Sequence, residues 1–118
     1  MIKSQPRIVT IGGGEVAHIA HCSKIPSVSE TVPARDKIKS VSGKGASQAA
    51  AMARFGGEIH FVGCLGDDYN GDRVLQSLKE AGVNTDFVSR VDTPTATSLV
   101  MVDYDGDTIK AYHPGANV

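Results

Sequence analysis

Apolar residues run along this chain in short bursts that stop at glycine, proline or aspartate. Residues 8–11 are a β-branched run cut off by Gly12-Gly13-Gly14, which predicts a buried strand. Residues 15–22 fit neither period: Val16, His18, Ala20 and Cys22 alternate with Ala17, Ile19 and His21, and no polar face emerges. Pro26 and Pro33 exclude a long helix there. Residues 38–41 predict a second extended segment. Residues 46–55 predict a helix, because Ala49, Ala50, Ala51 and Ala53 favour one and Gly56 suits its left-handed cap. A strand over 59–63 follows, then Asp67 or Asp68 placed to cap a helix over 71–81. In that helix Val74, Leu75, Leu78 and Ala81 share one face, and Gly82 ends it. A further strand is predicted at 87–91. Strands at 98–102 and 108–112 flank Tyr104-Asp105-Gly106-Asp107, a hairpin turn.

Composition narrows the class. The chain has 118 residues, the size of one domain, and 41% of them are hydrophobic, enough for a core. Aromatics are only 5% with no Trp, so the core must be built of Val, Ile, Leu, Ala and Met, as in α/β layers. Alternating strands and helices imply parallel pairing with right-handed crossovers. The formal net charge is −1 without a basic cluster, which argues against nucleic acid as a partner. The start of the chain carries no long apolar region, so neither a signal peptide nor a membrane span is expected. Cys22 and Cys64 form no CxxC pair and no disulfide framework, consistent with a reducing cytoplasm.

The densest candidate chemistry is Val41-Ser42-Gly43-Lys44-Gly45-Ala46-Ser47-Gln48, a glycine-rich loop entering an alanine-rich helix. Gly43 and Gly45 allow close backbone approach, the helix start offers unpaired N–H groups and a positive dipole end, and Lys44 adds a cationic donor. That set suits a small, oxygen-rich ligand; a tight turn is the plainer alternative. It is not a P-loop, which needs glycine, four residues and then Gly-Lys-Ser/Thr. Gly12-Gly13-Gly14-Glu15-Val16-Ala17 matches a dinucleotide fingerprint, but Pro26 shortens the helix such a motif requires and Glu30 falls in a proline-flanked loop. His18, His21 and Cys22 lack a second pair at metal-ligand spacing and are expected to pack. His60 and His113 flank apolar or turn positions and are expected to be structural. Asp103, Asp105 and Asp107 start like a calcium loop, lack the later glutamate, and read as a solvated turn.

Taken together, these segments resemble the N-terminal part of the ribokinase-like (PfkB) carbohydrate kinases. Ser42-Gly43-Lys44-Gly45-Ala46-Ser47-Gln48-Ala49 is similar to that family's glycine-glycine-lysine-glycine-alanine-asparagine loop. Pro26-Ser27-Val28-Ser29-Glu30-Thr31 resembles its proline…glycine-glutamate-threonine segment, and residues 61–71 resemble its glycine-x-x-glycine-x-aspartate…glycine stretch. Ala81-Gly82-Val83, Pro94-Thr95-Ala96 and Gly115-Ala116-Asn117 fall in the family's order. The resemblance implies the start of a three-layer α/β fold, a parallel sheet with helices on its faces, plus a small β-sheet lid. It divides the chain into core pieces at about 7–14 and 42–92 and lid pieces at about 15–41 and 95–113. It implies a sugar over Gly43, Lys44 and Gly45, with Ser47 or a substituting Glu15 as a further ligand, under Ser98, Val100 and Tyr112 of the lid. ATP and magnesium are implied for the complete fold.

Three departures from the pattern matter. The family's sugar-binding aspartate falls at Ala17 or Ile19, depending on register, leaving Glu15 as the nearby carboxylate. Its loop asparagine is Ser47. The chain also reaches Val118 before the family's catalytic aspartate motif, so no catalytic residue and no metal ligand is assigned. The expectation is the acceptor half of an ATP-dependent sugar kinase, inactive alone; a degenerate sugar-binding or oligomerisation module is the alternative. Self-association through the lid or an open sheet edge, or pairing with a complementary C-terminal half, is expected.

Overall fold

The computed structural model describes residues 6–118. The start of the chain, read as a lead-in without an apolar leader, lies largely outside them. In chain order the elements are β1 (Arg7–Ile11), β2 (Glu15–Cys22), β3 (Ala34–Ser42), α1 (Lys44–Arg54), β4 (Glu58–Gly66), α2 (Tyr69–Glu80), β5 (Val88–Val91), β6 (Ala96–Val102) and β7 (Thr108–His113), then a short 3-10 turn, Gly115–Asn117.

The strands form two sheets. The first, ordered β1-β4-β5, is parallel throughout. Its strand β4 sends Ile59, Phe61 and Leu65 to one side, where Ala46 and Ala49 of α1, Val74 and Leu78 of α2, and Val16 of β2 complete the core. Alanines on α1 let that helix lie close to the sheet. Each large side chain buried here contributes about 1.5–3 kcal/mol. Both helices cover this one face; on the other, Val9 and Ile11 are 59% and 79% exposed.

The helix ends follow the local chemistry. Gly56 has φ 89° and donates to the Ala53 carbonyl, closing α1. Asp68 caps α2, its carboxylate accepting from the Gly71 N–H at 2.8 Å. Gly82, at φ 88°, ends α2, and the Val83 N–H returns to the Leu78 carbonyl.

The second sheet is ordered β3-β2-β6-β7. Strand β2 pairs antiparallel with β3 and parallel with β6, and β6 pairs antiparallel with β7. The unassigned segment 15–22 is therefore an interior strand. It lacks alternation because both faces at its start are buried, with Val16 in the core and Ala17 on the opposite side. This overturns the dinucleotide reading of Gly12–Ala17, since a strand stands where the motif needs a helix. It also sends His18 and His21 to opposite faces; His21 Nδ1 lies 2.6 Å from Asp36 Oδ1 on β3. In the β6–β7 turn, Asp103 Oδ1 accepts from the N–H groups of Asp105 and Asp107, and Gly106 takes φ 86°.

Candidate functional site

Four pieces of backbone converge at the start of α1. The Gly12–Gly14 turn after β1 packs on the Gly43–Gly45 loop so closely that a Cβ on Gly45 would lie 2.8 Å from Gly12 Cα. Gly43 has φ 103°, and a Cβ there would lie 2.5 Å from the Gly13 carbonyl oxygen. The Ala46 N–H donates to that same oxygen at 3.2 Å. No side chain caps α1, so its positive end opens beside the loop. The β6–β7 hairpin and the turn at Gly115–Asn117 complete the surround. Gly115, at φ 49°, sits where a Cβ would meet the Pro94 carbonyl, and this tight turn delivers Asn117 to the site.

Between these pieces lies a cavity of about 560 Å³, within the size range of small-molecule sites. Gly13, Ser42, Gly43 and Lys44 line it from the Gly12–Gly14 turn and the junction of β3 with α1; Glu15, Lys110, Tyr112 and Asn117 line it from β2, β7 and the last turn. Glu15 is 4% exposed. A buried carboxylate requires partners, and Glu15 has two on Oε1: Lys110 Nζ donates at 2.7 Å and Ser98 Oγ at 3.1 Å. Asn117 Nδ2 donates to Tyr112 Oη at 2.9 Å and to the Gly14 carbonyl at 3.3 Å. Lys110 Nζ also stands 5.5 Å from the Tyr112 ring centroid.

A second polar network fixes where the chain crosses from the first sheet to the second. Asp68 accepts from Thr95 Oγ1 at 2.6 Å, from the Thr95 N–H at 2.9 Å and from the Gly71 N–H. Thr95 Oγ1 accepts in turn from the Gly66 N–H, and Arg90 Nε donates to the Gly66 carbonyl. Burial opposes ionisation of Asp68, but the Thr95 and Gly71 hydrogen bonds and the nearby Arg90 outweigh it and hold its carboxyl below the usual aspartate value. Thr95 immediately precedes β6, so this network sets the position of Ala96 to Ser98.

Of the residues expected from sequence, Glu15, Gly43, Lys44 and Tyr112 line one cavity, with Ser98 beneath Glu15 and Gly45 in the loop packing. Ser47 lies elsewhere, lining a separate cleft with Val41, Ala50 and Ser77. Val100 does not line the shared cavity, although it stands opposite Lys110 in the β6–β7 register on the face that carries Ser98. Lys110 and Asn117 were not expected. Strand alternation from Tyr112 points to Lys110, and Asn117 closes the Gly-Ala-Asn segment. Among the described residues, no group of three or more His, Cys, Asp or Glu is placed to hold a metal ion.

Comparison with known proteins identifies the family and the fold. The family model described as pfkB family carbohydrate kinase matches residues 5–118. The chain is 34% identical to the ribokinase of Bacillus subtilis over 110 residues, covering 93% of this chain and 38% of that protein. It is 32% identical to the ribokinase of Arabidopsis thaliana over 116 residues, covering 96% and 31%. It thus spans about a third of the length of these curated relatives. Among solved structures, the ribokinase of Cryptococcus neoformans in complex with ADP superposes with a TM-score of 0.84 at 34% identity, covering 96% of this chain and 36% of that one. The Arabidopsis thaliana ribokinase complexed with ribose and ATP superposes at 0.80 with 32% identity, covering 97% and 37%. The mixed α/β architecture is therefore that of a ribokinase-fold fragment, and the chain belongs to the pfkB family of carbohydrate kinases.

Proposed function

We propose that this chain is the acceptor-binding and lid half of an ATP-dependent carbohydrate kinase, phosphorylating a sugar hydroxyl only when a nucleotide-binding half completes it. The observation that carries this reading is the single cavity joining the Gly43-Lys44 loop to Glu15 and Tyr112 of the second sheet. A sugar seated there meets Lys44 as donor, and the second Glu15 oxygen, which has no partner among the described residues, as acceptor. The second sheet acts as the lid, excluding water from the reacting hydroxyl. ATP supplies the phosphoryl group and magnesium offsets its charge in such reactions. The residues of this chain that line the cavity act on the acceptor, positioning its hydroxyls. We place the chain in the cytoplasm because Cys22 and Cys64 are both free; no helix among the described residues is long and apolar enough to cross a membrane.

A degenerate, non-catalytic module is the second reading, and Ala17 favours it. Ala17 lies opposite Ser98 on the same face as Glu15, nearly buried, without the carboxylate the family uses to grip hydroxyls. Ala17→Asp separates the two. Ribose affinity measured by calorimetry is expected to rise by about tenfold or more, the worth of a charge-assisted hydrogen bond. No rise supports the degenerate module, and ATP-dependent phosphorylation of a pentose by the purified chain alone contradicts the half-kinase reading.

We further infer that the chain self-associates, or pairs with a complementary C-terminal half, through its open surfaces. Val9 and Ile11 leave one face of β1 apolar, and Leu99 and Ile109 do the same on the back of the second sheet. Light scattering after size exclusion is expected to find a dimer or larger species at micromolar concentration; a monomer at every concentration contradicts self-association.

A further inference from the structure

We propose that the cavity beside Gly43 and Lys44 selects an acceptor bearing a negative group, a sugar acid in preference to a neutral sugar, and that Lys110 sets this preference. The inference deepens the sugar-site reading and rests on it.

The balance of donors and acceptors carries the argument. Two cations, Lys44 and Lys110, line the cavity against one anion, Glu15, which leaves the lining one net positive charge. Lys44 makes no ion pair among the described residues. Lys110 spends one N–H on Glu15 and keeps two. Tyr112 Oη accepts from Asn117, so its own proton is free to donate. Against these donors stand two open side-chain acceptors, the second carboxylate oxygen of Glu15 and the unpartnered Oδ1 of Asn117, and only the first carries charge.

A neutral sugar presents hydroxyls that seek acceptors as much as donors, and here the one carboxylate is already neutralised by Lys110. A carboxylate-bearing sugar inverts the match. Its acid group takes the ammonium donors, and a hydroxyl takes the free Glu15 oxygen. The position of Lys110 is specific. In the β6–β7 register it stands opposite Val100, two residues from Tyr112, on the face that also carries Ser98. On the other face of β7 the same side chain would lie away from the site. A cleft lined by one excess sign of charge also concentrates ligands of the opposite sign.

The test is calorimetric titration of the chain with D-ribonate and ribitol, which share five carbons in open chain and differ in a carboxylate against a hydroxymethyl. D-Ribose and inorganic phosphate serve as neutral-sugar and bare-anion probes. Ribonate is expected to bind at least about tenfold more tightly than ribitol, and Lys110→Met to bring the two within about threefold. Because Lys110→Met strands a buried carboxylate, the double variant Glu15→Gln, Lys110→Met removes both charges and is expected to abolish the preference in the same way. Equal or tighter binding of ribitol or ribose overturns this inference and leaves the sugar site standing. A preference that survives both variants overturns the role of Lys110. Phosphate binding as tightly as ribonate overturns the inference in favour of a bare-anion site. If ribonate, ribitol and ribose all fail to bind, the sugar-site reading falls and takes this inference with it.

Discussion

Replacing Asp68 with alanine is expected to lower the unfolding free energy by about 3–5 kcal/mol, a large fraction of the stability of a domain this size. Asp68 is the cap of α2, and capping alone is worth about 1 kcal/mol. It also accepts both the N–H and the hydroxyl of Thr95, which is almost completely buried. Alanine leaves those donors without their acceptor, and an unsatisfied buried donor costs about 1–3 kcal/mol. The loss reaches the site, because Thr95 leads directly into β6 and Ser98 supports Glu15. Urea unfolding as a function of pH reads a second consequence. The Asp68 carboxyl is held below its usual value in the fold, so its contribution is complete above the unfolded value and drains away as pH falls through the folded one. Asp68→Asn is expected to flatten this part of the acid limb. An unchanged limb would mean that the network does not depend on the charge.

Gly43→Ala is expected to cost about 2–4 kcal/mol and to abolish ligand binding. The backbone at Gly43 has φ 103°, which residues with a side chain rarely adopt. The new Cβ would also meet backbone atoms, the Gly13 oxygen at 2.5 Å and Gly14 Cα at 2.8 Å, and backbone cannot swing aside as a flexible side chain can. Relief requires moving the Gly12–Gly14 turn away from α1, which pulls apart the two loops that line the cavity. Thermal unfolding and a ribonate titration on the same variant read both effects. Glycine-like stability with intact binding would show that the close approach of these loops is dispensable.

The elements with a single dry face were legible in the sequence. Helix α2 announced itself through Val74, Leu75 and Leu78 on one side and an aspartate at its start, and β4 through its apolar run. Strand β2 was illegible because burial on both faces erases alternation. Helix α1 starts at Lys44, two residues earlier than alanine content alone suggests, since packing against the Gly12–Gly14 turn holds Lys44 and Gly45 in helix. The site was half legible. The glycine loop and Glu15 stand out locally. Lys110 does not, because a lysine in a hairpin strand reads as a solvated face, and its partner lies 95 residues away in sequence. Ser47 and Val100 illustrate the converse: each occupies a matching position in the family's order, and neither lines the cavity that Gly43, Lys44, Glu15 and Tyr112 share.

The central claim is that this cavity holds a sugar between the Gly43-Lys44 loop and the second sheet. Two-dimensional amide spectra recorded while ribonate or ribose is added to the isotopically labelled chain test it most directly. Saturable shifts are predicted at Gly13, Gly43, Lys44, Tyr112 and Asn117, with Ala20 and Met101 on the back of the second sheet unmoved and no shifts in the Gly43→Ala variant. Shifts centred on Ala20 and Met101, or none at the Gly43-Lys44 loop with either ligand, would contradict the account.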